Sequence, residues 1–166
     1  MRYLTHYDEL TGLANRSLFR ERLHEAHERA RHMLDGLGIV IPDTHLKVEN
    51  LSGGQRQSIA IGRAASFNPS VLIMDEPTAA LAVAEVEAVL ELIRTVSGRG
   101  VSVILITHRL QDLFLVCDRI QVMYEGQNVA ERLIAETNIE EVVNLIVGRK
   151  FSARSAGQHT ERGASI

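Results

Sequence analysis

Residues 71–108 read VLIMDEPTAALAVAEVEAVLELIRTVSGRGVSVILITH, and their pattern decides the fold. VLIM at 71–74 is a continuous apolar run bounded by Pro69 and Pro77, which reads as a buried parallel strand. Val83, Val86, Leu90, Ile93 and Val96 then recur at helical spacing, and Gly98 and Gly100 close that helix. VSVILI at 101–106 is a second buried strand, followed at once by Thr107 and His108. A strand, a helix and a strand at this separation make a right-handed βαβ unit. Ligands of open α/β sheets sit beyond the carboxyl ends of such strands, where this chain places Asp75-Glu76 and His108.

Upstream lies LSGGQRQ at 51–57, in which a serine and two glycines open the helical run QSIAIGRAA. Backbone N–H groups bared by glycine at a helix N-terminus seat anions. The lysine-bearing loop GxxxxGK[ST] that usually accompanies a phosphate seat occurs nowhere in the 166 residues. Further upstream, Asp8, Thr11, Gly12 and Asn15 supply turn chemistry before an amphipathic helix over about 17–37, stopped by Gly36 and Gly38. His24, His27 and His32 fall on that helix without a completing carboxylate or cysteine cluster, and read as a solvated face. Downstream, a helix near 109–116 leads to RIQVMY at 119–124, and Glu125-Gly126 turn the chain into QNVAE as a hairpin. Thr137 with Glu140 has capping-box spacing before IEEVVNLIV, and Gly148 ends that helix. The stretch from Phe151 is nearly devoid of apolar residues and is expected to be a disordered tail.

Composition narrows the class. A chain of 166 residues with 45% hydrophobic and 23% charged residues fits one soluble α/β domain. A net charge of −3 provides no general basic field for nucleic acid or an anionic membrane. Cys117 stands alone, which fits a reducing compartment and a small buried residue. No apolar stretch is long enough to span a bilayer, so direct membrane insertion is not expected.

A carboxylate directly after a buried strand is a natural partner for Mg²⁺ through water, and Asp75 holds that position. Glu76 is placed to polarise an attacking water as general base, and His108 to stabilise charge on a transferring phosphoryl group. Each has a plainer alternative: Asp-Glu-Pro as a helix lead-in, and a strand-end histidine as a structural hydrogen-bonding residue.

With these motifs in this order, residues from about 28 to 149 resemble the C-terminal part of an ATP-binding cassette (ABC) transporter ATPase. LSGGQ at 51–55 resembles the family signature, VLIMDE at 71–76 Walker B, and ITH at 106–108 the switch-histidine loop. MLDGLGI at 33–39 resembles the segment leading into the signature. DEPTAALAV and TNIEEVVNLIVGR resemble importers of monosaccharides such as ribose, a branch that often lacks the aspartate many cassettes carry where this chain has Ala82. The resemblance implies an α/β P-loop NTPase-like parallel sheet with flanking helices, incomplete for want of the Walker A portion. It implies ATP and Mg²⁺ as cofactors, with Ser52, Gly53, Gly54 and Gln55 reaching the nucleotide of a second ATPase subunit. Asp75 as metal partner, with Glu76 and His108 as catalytic residues, would serve the chain's own nucleotide. It also implies a membrane permease as partner, with the subunit cytoplasmic and peripheral on the inner face of the plasma membrane.

HYDELTGLANRSLFRERL at 6–23 resembles the opening of a GGDEF diguanylate cyclase domain, without that family's later catalytic loop. The expected organisation is therefore a GGDEF-like segment over 1–23, a partial ABC ATPase over 24–149, and a tail over 150–166. The expected function is that of a truncated sugar-importer ATPase subunit, inactive alone. The alternatives are a non-enzymatic chimeric fragment docking on an intact cassette subunit, and a cyclic-dinucleotide signalling fragment.

Overall fold

The computed structural model describes residues 6–8 and 10–148, which form two compact units, one ending at Ile104 and one beginning at Leu105. The tail expected over 150–166 lies outside the described residues.

The first unit opens with a turn built by Asp8. Its carboxylate accepts from the Thr11 amide at 2.9 Å and the Thr11 hydroxyl at 2.7 Å, and Gly12 follows at φ +67°. Helix α1 spans Arg16–Gly36, with the Asn15 side chain capping it by accepting from the Leu18 amide. It ends in a Schellman turn: Gly38 takes φ +71°, its amide donates to Asp35, and the Ile39 amide donates to Leu34. Leu34 and Ile39, joined by that bond, are both buried. The helix runs unbroken through position 23, where the expected boundary between the two segments falls.

Helix α2, Gly53–Ala65, buries Gly54, Ser58, Ile61 and Gly62 along one face. Strand β1 covers Val71–Asp75 and helix α3 covers Val83–Gly98, burying Val86, Val89, Leu90, Leu92, Ile93 and Val96. Strand β2, Ser102–Ile106, pairs with β1 in a two-stranded parallel sheet to which α3 is the crossover. α2 and α3 pack together within this unit. Both strands were expected to be buried on two faces, and that expectation is corrected in part. Val71, Ile73 and Ile104 are 51%, 63% and 50% exposed. An apolar run shows that both faces of a strand are oily; it does not say what covers them.

The second unit holds helix α4, Leu110–Val116, and the antiparallel hairpin of β3, Arg119–Tyr124, and β4, Gln127–Leu133. Its turn residues Glu125 and Gly126 both have positive φ, as a tight hairpin with the right twist requires. Leu113, Ile120, Val122 and Val142 form the core of this unit. Helix α5 runs over 139–148. Its cap differs from the expected Thr137–Glu140 box: Asn138 accepts from the Glu141 amide at 2.9 Å, and the Thr137 hydroxyl donates to the Glu141 carboxylate at 2.8 Å. Asn and Thr are both good caps, and spacing alone could not choose between neighbours. Cys117 is half-buried, and burial pushes its thiol pKa up, with Asp118 adding to the effect.

Candidate functional site

The loop at 51–57 becomes the first turn of α2. Ser52 has extended backbone and caps the helix: its hydroxyl accepts from the Gln55 amide at 3.2 Å while the Gln55 side chain accepts from the Ser52 amide at 3.0 Å. The Arg56 guanidinium donates to the Leu51 carbonyl and ties the turn from beneath. Ser52, Gly53, Gly54 and Gln55 are thus brought together in one turn, with the helix dipole giving their end a partial positive charge.

That charge already has a neighbour. Glu85, in the first turn of α3, accepts from the Gly54 amide at 3.1 Å through one oxygen and from the Ala82 amide at 3.1 Å through the other. A hydrogen bond with the Ser52 side chain, then those from Ala82 and Gly54, hold the Glu85 carboxyl below the usual range. Sequence reasoning missed Glu85. Its signal was the spacing Ala82-x-x-Glu85, a capping box whose cap residue carries no oxygen.

Asp75 and Glu76 are consecutive at the end of β1. Asp75 is exposed, and Glu76 takes φ +48° with its carbonyl accepting from the Ala79 amide. Left-handed backbone at a non-glycine residue costs free energy and is concentrated at functional turns. It swings the chain off the strand axis directly after the carboxylates. His108 belongs to the second unit, exposed just past β2, where the neighbouring Thr107 hydroxyl accepts from the Arg109 amide at 3.0 Å.

One exposed carboxylate suits a hydrated Mg²⁺, which takes one or two carboxylates and fills its shell with phosphate oxygens and water. Among the described residues no group of three or more His, Cys, Asp or Glu is arranged to hold a metal by itself. Asp75 is thus the residue that would hold a Mg²⁺, as a single carboxylate completed by phosphate oxygens and water. On α1, His27 is not the solvated residue expected: it stacks on His45 at 4.3 Å and hydrogen-bonds the Thr44 hydroxyl at 2.7 Å. No described helix is long and apolar enough to cross a membrane.

Comparison with known proteins bears on the fold and the family. The family model described as "ABC transporter" matches residues 2–79. The xylose/arabinose import ATP-binding protein of Sulfolobus acidocaldarius is 45% identical over 131 residues, 79% of this chain and 52% of that protein. The ribose import ATP-binding protein of Geobacillus kaustophilus is 41% identical over 133 residues, 80% of this chain and 27% of that protein. Among solved structures, the ADP conformation of MJ1267, an ATP-binding cassette of an ABC transporter, aligns with TM-score 0.59 and 31% identity, over 78% of this chain and 49% of that one. The chain is an α/β protein with the ABC ATPase fold, a parallel sheet with flanking helices. More particularly, it is homologous to the ATP-binding proteins of ribose and xylose importers. It spans between about a quarter and a half of the length of these relatives. The family match begins at residue 2 and takes in 6–23, so the cyclase-like reading of that segment gains no support.

Proposed function

We propose that this chain is the signature-bearing portion of an ABC-type sugar-importer ATPase subunit, working with a second ATPase subunit and a membrane permease at the cytoplasmic face of the membrane. The single observation carrying this reading is the order of placed motifs: LSGGQ on a capped helix N-terminus, Asp75-Glu76 in a left-handed turn at the end of β1, and His108 past β2. Relatives named as sugar-import ATP-binding proteins support the carbohydrate assignment.

In this reading Ser52 and the Gly53–Gly54 amides are donors to the terminal phosphate of ATP held by the second subunit. Donors held in a helix turn already point toward the position where charge develops on a transferring phosphoryl group. Asp75 would hold a Mg²⁺ through water at this subunit's own nucleotide, not at the one the signature turn meets. Glu76 would act there as general base toward an attacking water, and His108 would donate a hydrogen bond to a phosphoryl oxygen, once a lysine-bearing phosphate loop supplies that nucleotide. Mg²⁺, when bound, neutralises phosphate charge. The 166 residues carry no lysine-bearing phosphate loop, so they supply only part of a composite site and do not hydrolyse ATP by themselves.

The test is an ATPase assay with an intact homologous importer subunit, with and without this chain. The expected result is no turnover by the chain alone and a changed turnover of the mixture, abolished by Ser52→Ala or Gly54→Asp. Hydrolysis by the chain alone that disappears with Glu76→Gln would overturn the partial-site reading. An effect on the partner untouched by either signature substitution would place the contact elsewhere.

A further inference from the structure

We infer that Glu85 is a positioning residue that guards the signature turn: its carboxylate occupies the Gly54 amide, and a phosphate reaches that amide only when Glu85 lets go. The inference rests on the proposed function only for whose phosphate arrives; the contact itself belongs to this chain. Gly54 is buried, and its N–H is already spent on Glu85 at 3.1 Å. One amide hydrogen does not serve two anions at full strength, and a carboxylate on that donor repels a second negative group approaching it.

The packing is built around this contact. A Cβ on residue 54 would lie 2.7 Å from Glu85 Cβ and 2.9 Å from Cγ, so the glycine is what allows the Glu85 stem to lie against the α2 backbone. The other carboxylate oxygen accepts from Ala82 at 3.1 Å, at the start of α3. Glu85 therefore bridges two helix N-termini with one charge, which both dipoles favour. Displacing it from Gly54 also loosens its hold on Ala82, in the loop that follows Asp75-Glu76. Phosphate arrival at the signature turn is thereby linked to the backbone behind the carboxylates. Ala82 is integral to this device. A capping side chain at that position would satisfy the start of α3 locally and release Glu85 from half its role.

The test uses the full chain and inorganic phosphate, read by amide chemical shifts at pH 7 with ionic strength held constant by NaCl. In the wild-type chain the Gly54 amide should show at least about tenfold weaker phosphate response than in Glu85→Ala, where Gly54 and Gln55 shift together and saturably. Glu85→Gln keeps an acceptor and the stem but removes the charge, and should fall between; it decides the matter if Glu85→Ala does not fold. Equal half-saturation in the wild type and the variants would overturn the inference, as would no response in any of them. Because no partner subunit is present, a chain that passes this test and fails to affect a homologous ATPase retains the guard and loses the proposed function.

Discussion

Gly54 and Gly62 both lie on the buried face of α2, and a methyl group at either would meet a neighbour at 2.7 Å. The two neighbours differ. At Gly62 the obstacle is Ile39 Cδ1, the far end of a side chain that can rotate; at Gly54 it is Glu85 Cβ, fixed to the α3 backbone. An alanine in a helix gains about 1 kcal/mol over glycine, while overpacking costs about 1–3 kcal/mol when nothing can yield. Gly62→Ala should therefore change stability by less than about 1 kcal/mol, and Gly54→Ala should lose about 2 kcal/mol, as read from urea unfolding. The opposite order would mean that Glu85 does not pack as described. The glycines, serine and carboxylates of the candidate site stand out in the sequence because phosphate chemistry calls for those residue types. Glu85 was not, because its contact with Gly54 joins positions 31 residues apart and depends on how two helices pack.

Among the elements, α5 depends on polar groups at its start. Asn138 caps it, and Glu141 accepts from Arg132 at 2.7 Å and from Thr137 at 2.8 Å. Asn138→Ala should cost about 1 kcal/mol in thermal or urea unfolding, the usual worth of such a cap. The Arg132 hydrogen bond, then that from Thr137, lower the Glu141 pKa. A carboxyl whose folded pKa is depressed contributes stability that is present above its unfolded value of about 4.3 and is lost as pH falls through the folded value. Stability should thus decline on acidification below about pH 4.3, and Arg132→Met should flatten that decline. A decline identical in the variant would remove Arg132 from the account. The βαβ order, the hairpin turn and most helix ends were readable from periodicity and from glycine and proline punctuation. The α5 cap was read one residue early, because Thr137 and Asn138 are adjacent residues that both cap well and only the backbone decides between them.

On the scale of the molecule, β1 and the 102–104 part of β2 present an oily open face in the first unit. Val71, Ile73 and Ile104 are each at least half exposed, whereas parallel sheets are ordinarily covered on both sides. Such a surface with open strand edges is a template for association. Ile73→Lys together with Ile104→Lys should therefore raise the soluble, monodisperse fraction in light scattering while moving the unfolding midpoint little. Unchanged association would show that this face is not what brings chains together. The sequence carried the apolar runs but not this exposure, since covering a face depends on residues distant in the chain.

In the proposed function, Ser52 and the Gly53–Gly54 turn meet a phosphate held on another subunit. The most direct measurement of this contact is sedimentation of this chain mixed with an intact homologous importer ATPase subunit that binds ATP but is blocked in hydrolysis, in ATP and in ADP. A complex is expected in ATP, with little or none in ADP, and its loss with Ser52→Ala or Gly54→Asp. Association equal in the two nucleotides, or unchanged by both substitutions, would contradict it.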